Sequence, residues 1–129
     1  MIVVDASALV AIGDFEPDAG AYVRALEQAS GSIMSVVNAV EVGLVLIGRR
    51  RLQDVDELNR WFGDLSVEVD HSGVTHDLAL AAYLSFGRTY HPARLNLGDC
   101  FAYALARRLD APLLYKGADF DLTDVKRAI

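Results

Sequence analysis

Four acidic residues lie at or beside the predicted ends of apolar segments, and their types and positions suit chemistry. Asp5 closes one apolar run, and Asp119 follows another. Glu41 and Asp99 each lie within an apolar segment that has the pattern of a helix. An unpaired carboxylate is costly to bury because its charge loses hydration. A chain that places four of them in this way is expected to hold a cation, and we predict a divalent metal ion.

A set of donors made only of oxygen favours a particular class of ion. Carboxylates prefer hard cations such as Mg²⁺ or Mn²⁺, whereas zinc prefers nitrogen and sulfur ligands. Two carboxylates ~4 Å apart repel each other by roughly 4 kcal/mol at an effective dielectric of about 20, and divalent ions reverse that sign. Such sites commonly serve phosphodiester chemistry, in which the metal holds the phosphate and activates a water molecule. We therefore predict one or two Mg²⁺ or Mn²⁺ ions as the cofactor.

The elements that must position these acids alternate between strand and helix. Apolar, β-branched runs predict four short buried strands, at residues 2–5, 32–35, 67–70 and 112–115. A short additional strand near Val125 would make five. Cap residues and helical spacing predict pairs of helices between successive strands, at about residues 6–12, 17–30, 36–49, 52–62, 76–86 and 97–109. Pro17 is expected in the first turn of the second helix.

This alternation predicts an α/β fold, a three-layer α/β/α sandwich around a central parallel sheet of four to five strands. Ligands of such sheets gather outside the carboxyl ends of the strands. Asp5 and Asp119 follow strands at that edge, while Glu41 and Asp99 lie near the starts of their helices. The four acids are therefore expected to converge on one pocket.

Length and composition limit the class of protein. The 129 residues suit one domain, residues 1–129, with a single core. No apolar run approaches the ~18 residues that span a bilayer, and the N-terminus lacks the pattern of a signal peptide. Cys100 is the only cysteine, which excludes an internal disulfide and is typical of a reducing compartment. We expect a soluble, cytoplasmic protein with no membrane partner.

The net charge does not exclude an enzyme that acts on RNA. The formal value of −6 argues against broad, nonspecific binding of nucleic acid, which needs a basic surface. Four of the negative charges belong to the candidate site, and subtracting them from −6 leaves −2. An enzyme that acts on RNA is therefore compatible with this composition.

The chain resembles a known family along essentially its whole length. The matching segments are Ile2–Ala8, Glu41 on the third helix, Leu95–Ala106 and Leu113–Asp124. Together they resemble the PIN-domain ribonucleases, specifically the VapC toxins of bacterial VapBC toxin–antitoxin pairs. The resemblance implies a PIN-like fold and a metal-dependent endoribonuclease that cuts structured RNA such as tRNA or rRNA. It also implies a homodimer and inhibition by a VapB-type antitoxin whose C-terminal segment covers the site.

The resemblance also assigns residues to roles. The family's catalytic and metal-binding acids correspond to Asp5, Glu41, Asp99 and Asp119. Ser7 matches a hydroxyl that commonly supports the first acid, and it is predicted to contact substrate together with Asn96 and Thr123. Many relatives carry a further acid directly before the aspartate–phenylalanine pair, where this chain has Ala118. Asp121 or Asp124 is the candidate to replace that acid at a second ion.

Several of these residues also have a purely structural interpretation. Asp5 suits a helix cap, Asp99 suits the N-terminal dipole of its helix, and Asp119 suits an ordinary turn. Two interpretations also apply to Asn96, as a site residue or a helix cap, and to Thr123, as a site residue or a turn residue. The basic residues also have two interpretations. Lys116 and the three arginines at 49–51 either contact phosphate or extend into solvent.

Two other enzyme classes begin with a strand and an aspartate. A haloacid-dehalogenase-type phosphotransferase needs a second aspartate two residues on, where this chain has Ser7. A two-component receiver needs an adjacent acidic pair at the first strand, which is absent. The remaining alternative to a nuclease is a non-catalytic binding module with a PIN fold.

Overall fold

The computed structural model describes residues 1–129 and confirms the predicted alternation of strands and helices. The strands are β1 (Ile2–Val4), β2 (Ser32–Ser35), β3 (Val67–Asp70) and β4 (Leu113–Leu114). The helices are α1 (Ala6–Gly13), α2 (Ala19–Gln28), α3 (Val36–Gly48), α4 (Val55–Asp64), α5 (His76–Phe86) and α6 (Leu97–Arg108), followed by a 3₁₀ turn at Asp119–Leu122.

The sheet is parallel throughout and has the strand order β3-β2-β1-β4. Strand β1 therefore lies inside the sheet, with Val3 opposite Ile33 on one side and Leu113 on the other. The additional strand expected near Val125 does not form. A single parallel bridge joins Leu113 to Arg127 instead. The Leu113 amide donates to the Lys126 carbonyl oxygen and the Ala128 amide donates to the Leu113 carbonyl oxygen, and β4 is only two residues long, so the pairing goes no further.

Alternate residues of the strands pack into two separate hydrophobic cores, one on each face of the sheet. Val4, Met34 and Leu114 belong to the core that packs against α1–α4. Val3 and Leu113 belong to the core formed with α6. Burial of both strand faces requires a continuous apolar strand sequence, as in Ile2–Val4. The predicted three-layer α/β/α sandwich is confirmed.

Two helices begin later than predicted, and in both cases an aspartate marks the start. Asp18 is the N-cap of α2, so Pro17 lies before the helix rather than in its first turn. Asp54 caps α4 by accepting a hydrogen bond from the Glu57 amide at 2.9 Å. None of the six helices has the length and apolar character needed to cross a membrane.

Candidate active site

Asp5 is fixed at the carboxyl end of β1 by the residues around it. It is 5% exposed and is the N-cap of α1. Its Oδ2 accepts hydrogen bonds from the Ser7 amide at 3.0 Å and the Ser7 hydroxyl at 2.6 Å. The Ser7 hydroxyl oxygen in turn accepts from the Lys116 amide, which follows β4, at 2.9 Å. The capping interpretation of Asp5 is therefore correct, and the same hydrogen bonds orient its carboxylate at the carboxyl ends of the strands.

Glu41 is oriented by a buried asparagine on its own helix. Ser35 caps α3, and its hydroxyl donates to Asn38 Oδ1 at 2.6 Å. Asn38 is completely buried, and its Nδ2 donates to Glu41 Oε1 at 2.9 Å. The same Nδ2 donates to the Gly98 carbonyl oxygen at 3.0 Å. One amide group therefore fixes the Glu41 carboxylate and joins α3 to α6.

Gly98 allows these two helices to approach closely. A Cβ atom at this position would lie 2.0 Å from Glu41 Oε1 and 2.5 Å from Oε2. Such a contact is far inside van der Waals distance, so any larger residue would displace the Glu41 carboxylate. The absence of a side chain at Gly98 is what places Glu41 beside the start of α6.

Asp99 takes part in a reciprocal cap at the start of α6. Its Oδ2 accepts from the Asn96 amide at 3.1 Å, and Asn96 Oδ1 accepts from the Asp99 amide at 2.9 Å. Asp99 is 9% exposed. Burial raises the pKa of Asp99 to about 7, and the charges of Asp5, Asp119 and Glu41 act in the same direction. The structure supports the cap interpretation of Asn96.

The four predicted acids influence each other electrostatically. Burial, opposed by the Ser7 hydrogen bonds, raises the pKa of Asp5, and the charge of Asp119 raises it further. Burial also raises the pKa of Glu41, with a contribution from Asp5. The structure therefore brings all four acids to one region, although no group of three or more Asp, Glu, His or Cys side chains is already arranged as a metal cage.

Asp99 and Asp119 open onto a concavity of about 390 Å³. Asp119 is exposed at the start of the 3₁₀ turn, and Asn96 lies on the same wall. A larger apolar groove of about 660 Å³ lies between α3 and α4, and none of the four acids lines it. We therefore take the smaller, polar concavity as the candidate active site.

The other acids considered for a second ion are held elsewhere. Asp121 accepts hydrogen bonds from the Tyr115 hydroxyl at 2.5 Å and from Arg127 at 2.8 Å. Asp124 accepts from the Tyr103 hydroxyl at 2.5 Å. Neither acid lines the concavity with Asp99 and Asp119, and their contribution to metal binding stays a prediction.

The remaining predicted residues also have partners within the chain. The Thr123 hydroxyl donates to the Phe120 carbonyl oxygen at 2.7 Å, which supports its interpretation as a turn residue. Lys116 forms ion pairs with Glu16 at 2.8 Å and Asp18 at 3.1 Å. Within the arginine run at 49–51, Arg49 and Arg51 both pair with Asp14.

Our sequence analysis missed three features of this region. Asn38 carries the link between α3 and α6, and its position three residues before Glu41 was an available signal, because residues at that spacing share a helix face. The need for Gly98 depends on a contact with a residue 57 positions away and has no local signal. Arg88 and Arg94 also line the concavity, and neither was among the predicted site residues.

Comparison with known proteins places this geometry in a family. The PIN domain family model matches residues 2–126. Ribonuclease VapC30 of Mycobacterium tuberculosis is 40% identical over 125 residues, covering 96% of this chain and 95% of that protein. Ribonuclease VapC28 of the same species is 42% identical over 134 residues, covering 99% of this chain and 98% of that protein.

A solved structure has the same fold. The crystal structure of M. tuberculosis VapC20, described as a Sarcin-Ricin loop cleaving toxin, aligns with a TM-score of 0.77 over 97% of this chain and 96% of that one. Its sequence is 21% identical, so this likeness concerns the fold alone. From the family match and the relatives that are 40% and 42% identical over nearly their full length, the chain belongs to the VapC ribonucleases of the PIN domain family.

Proposed function

We propose that this protein, as a single PIN domain over residues 1–129, is the toxin of a VapBC toxin–antitoxin pair. Its activity is metal-dependent endoribonuclease cleavage of phosphodiester bonds in structured RNA, either tRNA or rRNA. The observation that carries the proposal is the convergence of four carboxylates at the carboxyl edge of the sheet, where their charges and burial raise the pKa of Asp99 to about 7.

The residues present suit a divalent cation. The donors are all carboxylate oxygens, which favour Mg²⁺ or Mn²⁺. Asp5, Glu41, Asp99 and Asp119 would hold one or two ions, and mutual repulsion between these groups is the cost that a cation removes. When bound, the ion supplies positive charge that neutralises the carboxylates and polarises the scissile phosphate.

The chain's own residues keep the acids in fixed orientations. Ser7 holds Asp5, Asn38 holds Glu41, and the cap with Asn96 holds Asp99. Such supporting hydrogen bonds commonly change metal affinity or activity by about 10–100-fold when removed. Without a cation, burial and the neighbouring carboxylates raise the pKa of Asp99 and thereby favour its protonated form.

We also propose a cytoplasmic homodimer that binds a VapB-type antitoxin. Exposed apolar side chains support partner binding on two surfaces. Val40 and Leu44 of α3 are 56% and 72% exposed beside the apolar groove, while Leu80 and Leu84 of α5 are 56% and 60% exposed. Contiguous apolar surface of this kind is typical of protein interaction sites.

RNA cleavage by the purified protein tests the proposed function. Bacterial tRNA and rRNA are incubated with wild type in Mg²⁺, in Mn²⁺ and in EDTA, and new RNA ends are mapped. We expect cleavage with metal only, and its loss in Asp5→Asn and Asp99→Asn. A wild type that cuts neither RNA with either metal would favour the non-catalytic PIN-fold module. Variants that cut as well as wild type would show that Asp5 and Asp99 do not carry the cleavage.

A further inference from the structure

Two arginines in the candidate active site have no role in the function proposed so far. Arg88 and Arg94 lie on the loop between α5 and α6, and they line the same concavity as Asp99 and Asp119. Both are exposed. Neither guanidinium group forms an ion pair or a hydrogen bond within the chain, whereas ion pairs do engage Arg49, Arg51, Arg107 and Arg127.

The loop holds the backbone of both arginines in place while their side chains stay free. The Arg88 amide donates to the Leu95 carbonyl oxygen at 3.1 Å, and the Leu95 amide donates to the Phe86 carbonyl oxygen at 3.0 Å. The Arg94 amide donates to the His91 carbonyl oxygen at 3.0 Å. The His91 ring packs edge-on against Phe86 with centroids 4.9 Å apart. These contacts define the backbone positions from which both arginines extend.

Arg94 also has an unusual backbone conformation. Its φ is 55°, a region that bulky residues rarely adopt. Four other non-glycine residues share a positive φ, and each lies two residues beyond the end of a helix, directly after its C-cap: Phe15, Arg50, Ser66 and Asp110. Arg94 is the exception, because it lies inside a loop. Conformations of this kind concentrate at functional sites.

The charges of the concavity indicate what these arginines bind. Asp99 and Asp119 repel any phosphodiester that enters, and the protein as a whole carries a net charge of −6. A cation beside the acids offsets this repulsion. The planar guanidinium group matches phosphate in a two-pronged hydrogen-bonding geometry. RNA is favoured over an acidic peptide because its backbone must reach Asp99 and Asp119 in order to be cut.

We propose that Arg88 and Arg94 form a phosphate-binding subsite, which holds the RNA backbone beside the scissile phosphate. This proposal rests on the RNA-cleaving function proposed above. The two arginines bind and position the substrate, whereas the acids carry the chemistry.

The double variant Arg88→Gln/Arg94→Gln tests the subsite. Its matched control is Arg24→Gln/Arg60→Gln, which makes the same change in net charge at two exposed arginines outside the concavity. RNA binding is measured by fluorescence anisotropy with labelled bacterial tRNA and a labelled rRNA fragment, in an Asp99→Asn background and over a range of salt concentrations. Cleavage kinetics are measured in the wild-type background with Mn²⁺, and thermal unfolding verifies that each variant is folded.

We expect the Arg88/Arg94 variant to bind RNA about 10-fold more weakly for each lost charged contact. The slope of log affinity against log salt should become shallower by about 0.7 for each phosphate contact to single-stranded RNA. KM should rise far more than kcat falls, and the Arg24/Arg60 control should behave as wild type. The variant Arg88→Lys/Arg94→Lys should restore the salt slope but not the full affinity. Lysine retains the positive charge but lacks the two-pronged hydrogen-bonding geometry of the guanidinium group.

Other results would overturn the subsite. Equal RNA affinity, salt slope and KM in the Arg88/Arg94 variant and the control would do so while leaving the nuclease function intact. Unchanged RNA binding together with weaker binding of a polyglutamate peptide would assign the arginines to an acidic protein segment instead. A wild type that cuts neither RNA would overturn the proposed function, and the subsite with it.

Discussion

Asn38 donates a hydrogen bond across 3.0 Å to the carbonyl oxygen of Gly98, and this contact joins α3 to α6 directly before Asp99. The same side-chain nitrogen donates to Glu41 at 2.9 Å. Two of the four acids are thereby coupled, since Gly98 directly precedes Asp99. The positions of Glu41 and Asp99 therefore depend on the buried side-chain amide of Asn38, which is not itself an acid.

Asn38→Ala should reduce both stability and activity. The change removes the buried hydrogen bonds of Asn38 with Ser35, Glu41 and Gly98, which costs roughly 1–3 kcal/mol of unfolding free energy. Glu41 also loses its orientation, so RNA cleavage should fall by about 10–100-fold. Urea denaturation and cleavage with Mn²⁺ measure the two effects. An unchanged free energy of unfolding would show that the Asn38–Gly98 contact contributes little.

Gly98→Ala should abolish cleavage while the protein remains folded. The new Cβ would lie 2.0 Å from Glu41 Oε1, so the carboxylate must move out of its position. Gly63→Ala in α4 is the matched control, since a Cβ there has open space within 4 Å. That control should keep full activity and gain up to about 0.5–1 kcal/mol of stability from lower backbone entropy in the unfolded state. Full activity in Gly98→Ala would contradict the close approach of the two helices.

Ser7→Ala should weaken activity through Asp5. Removing the hydroxyl deletes a 2.6 Å hydrogen bond that holds the Asp5 carboxylate and favours its charged form. The pKa of Asp5 should therefore rise further, and cleavage at neutral pH should fall by about 10-fold or more. Raising the pH should recover part of the loss. Ser72→Ala, at an exposed position, serves as the control. If the Ser7 variant cleaved RNA with the same pH dependence as wild type, the Ser7 hydroxyl would not be needed to hold Asp5 in its charged form.

The stability of the metal-free protein should depend on the ionisation of Asp99. Burial raises its pKa from 3.8 to about 7 in the folded state. The folded protein therefore binds more protons than the unfolded chain between those two values, and the free energy of unfolding falls as pH rises through that window. Denaturation in EDTA at several pH values measures the slope. Asp99→Asn should flatten it, and Mg²⁺ or Mn²⁺ should raise stability most at the high-pH end. An identical slope in wild type and variant would contradict this account.

The fold class was predictable because its determinants are local. Runs such as Ile2–Val4 are apolar on both faces, which indicates a buried parallel strand, and Ser35 and Asn96 mark helix starts by their capping chemistry. The predicted strand near Val125 was wrong because pairing with β4 depends on how distant segments pack, and only one bridge forms there, between Leu113 and Arg127. That information lies in the tertiary arrangement rather than in local pattern.

The candidate site was predictable in its acids but not in their surroundings. Asp5, Glu41, Asp99 and Asp119 stand out by type and placement, and the structure brings them to one region. The partners that hold them come from distant parts of the chain. Lys116 reaches Ser7 across 109 positions, and Asn38 reaches Gly98 across 60. Contacts of this range become visible only once the sheet and helices are packed.

Calorimetric titration of Mn²⁺ into the purified protein, without RNA, tests most directly whether the four carboxylates form a metal site. We predict saturable binding of one or two ions to wild type, loss of that binding in Asp99→Asn, and wild-type binding in Asp77→Asn, whose side chain is 85% exposed on α5. Absence of binding to wild type, or equal binding to wild type and Asp99→Asn, would contradict the assignment of these acids to a metal centre.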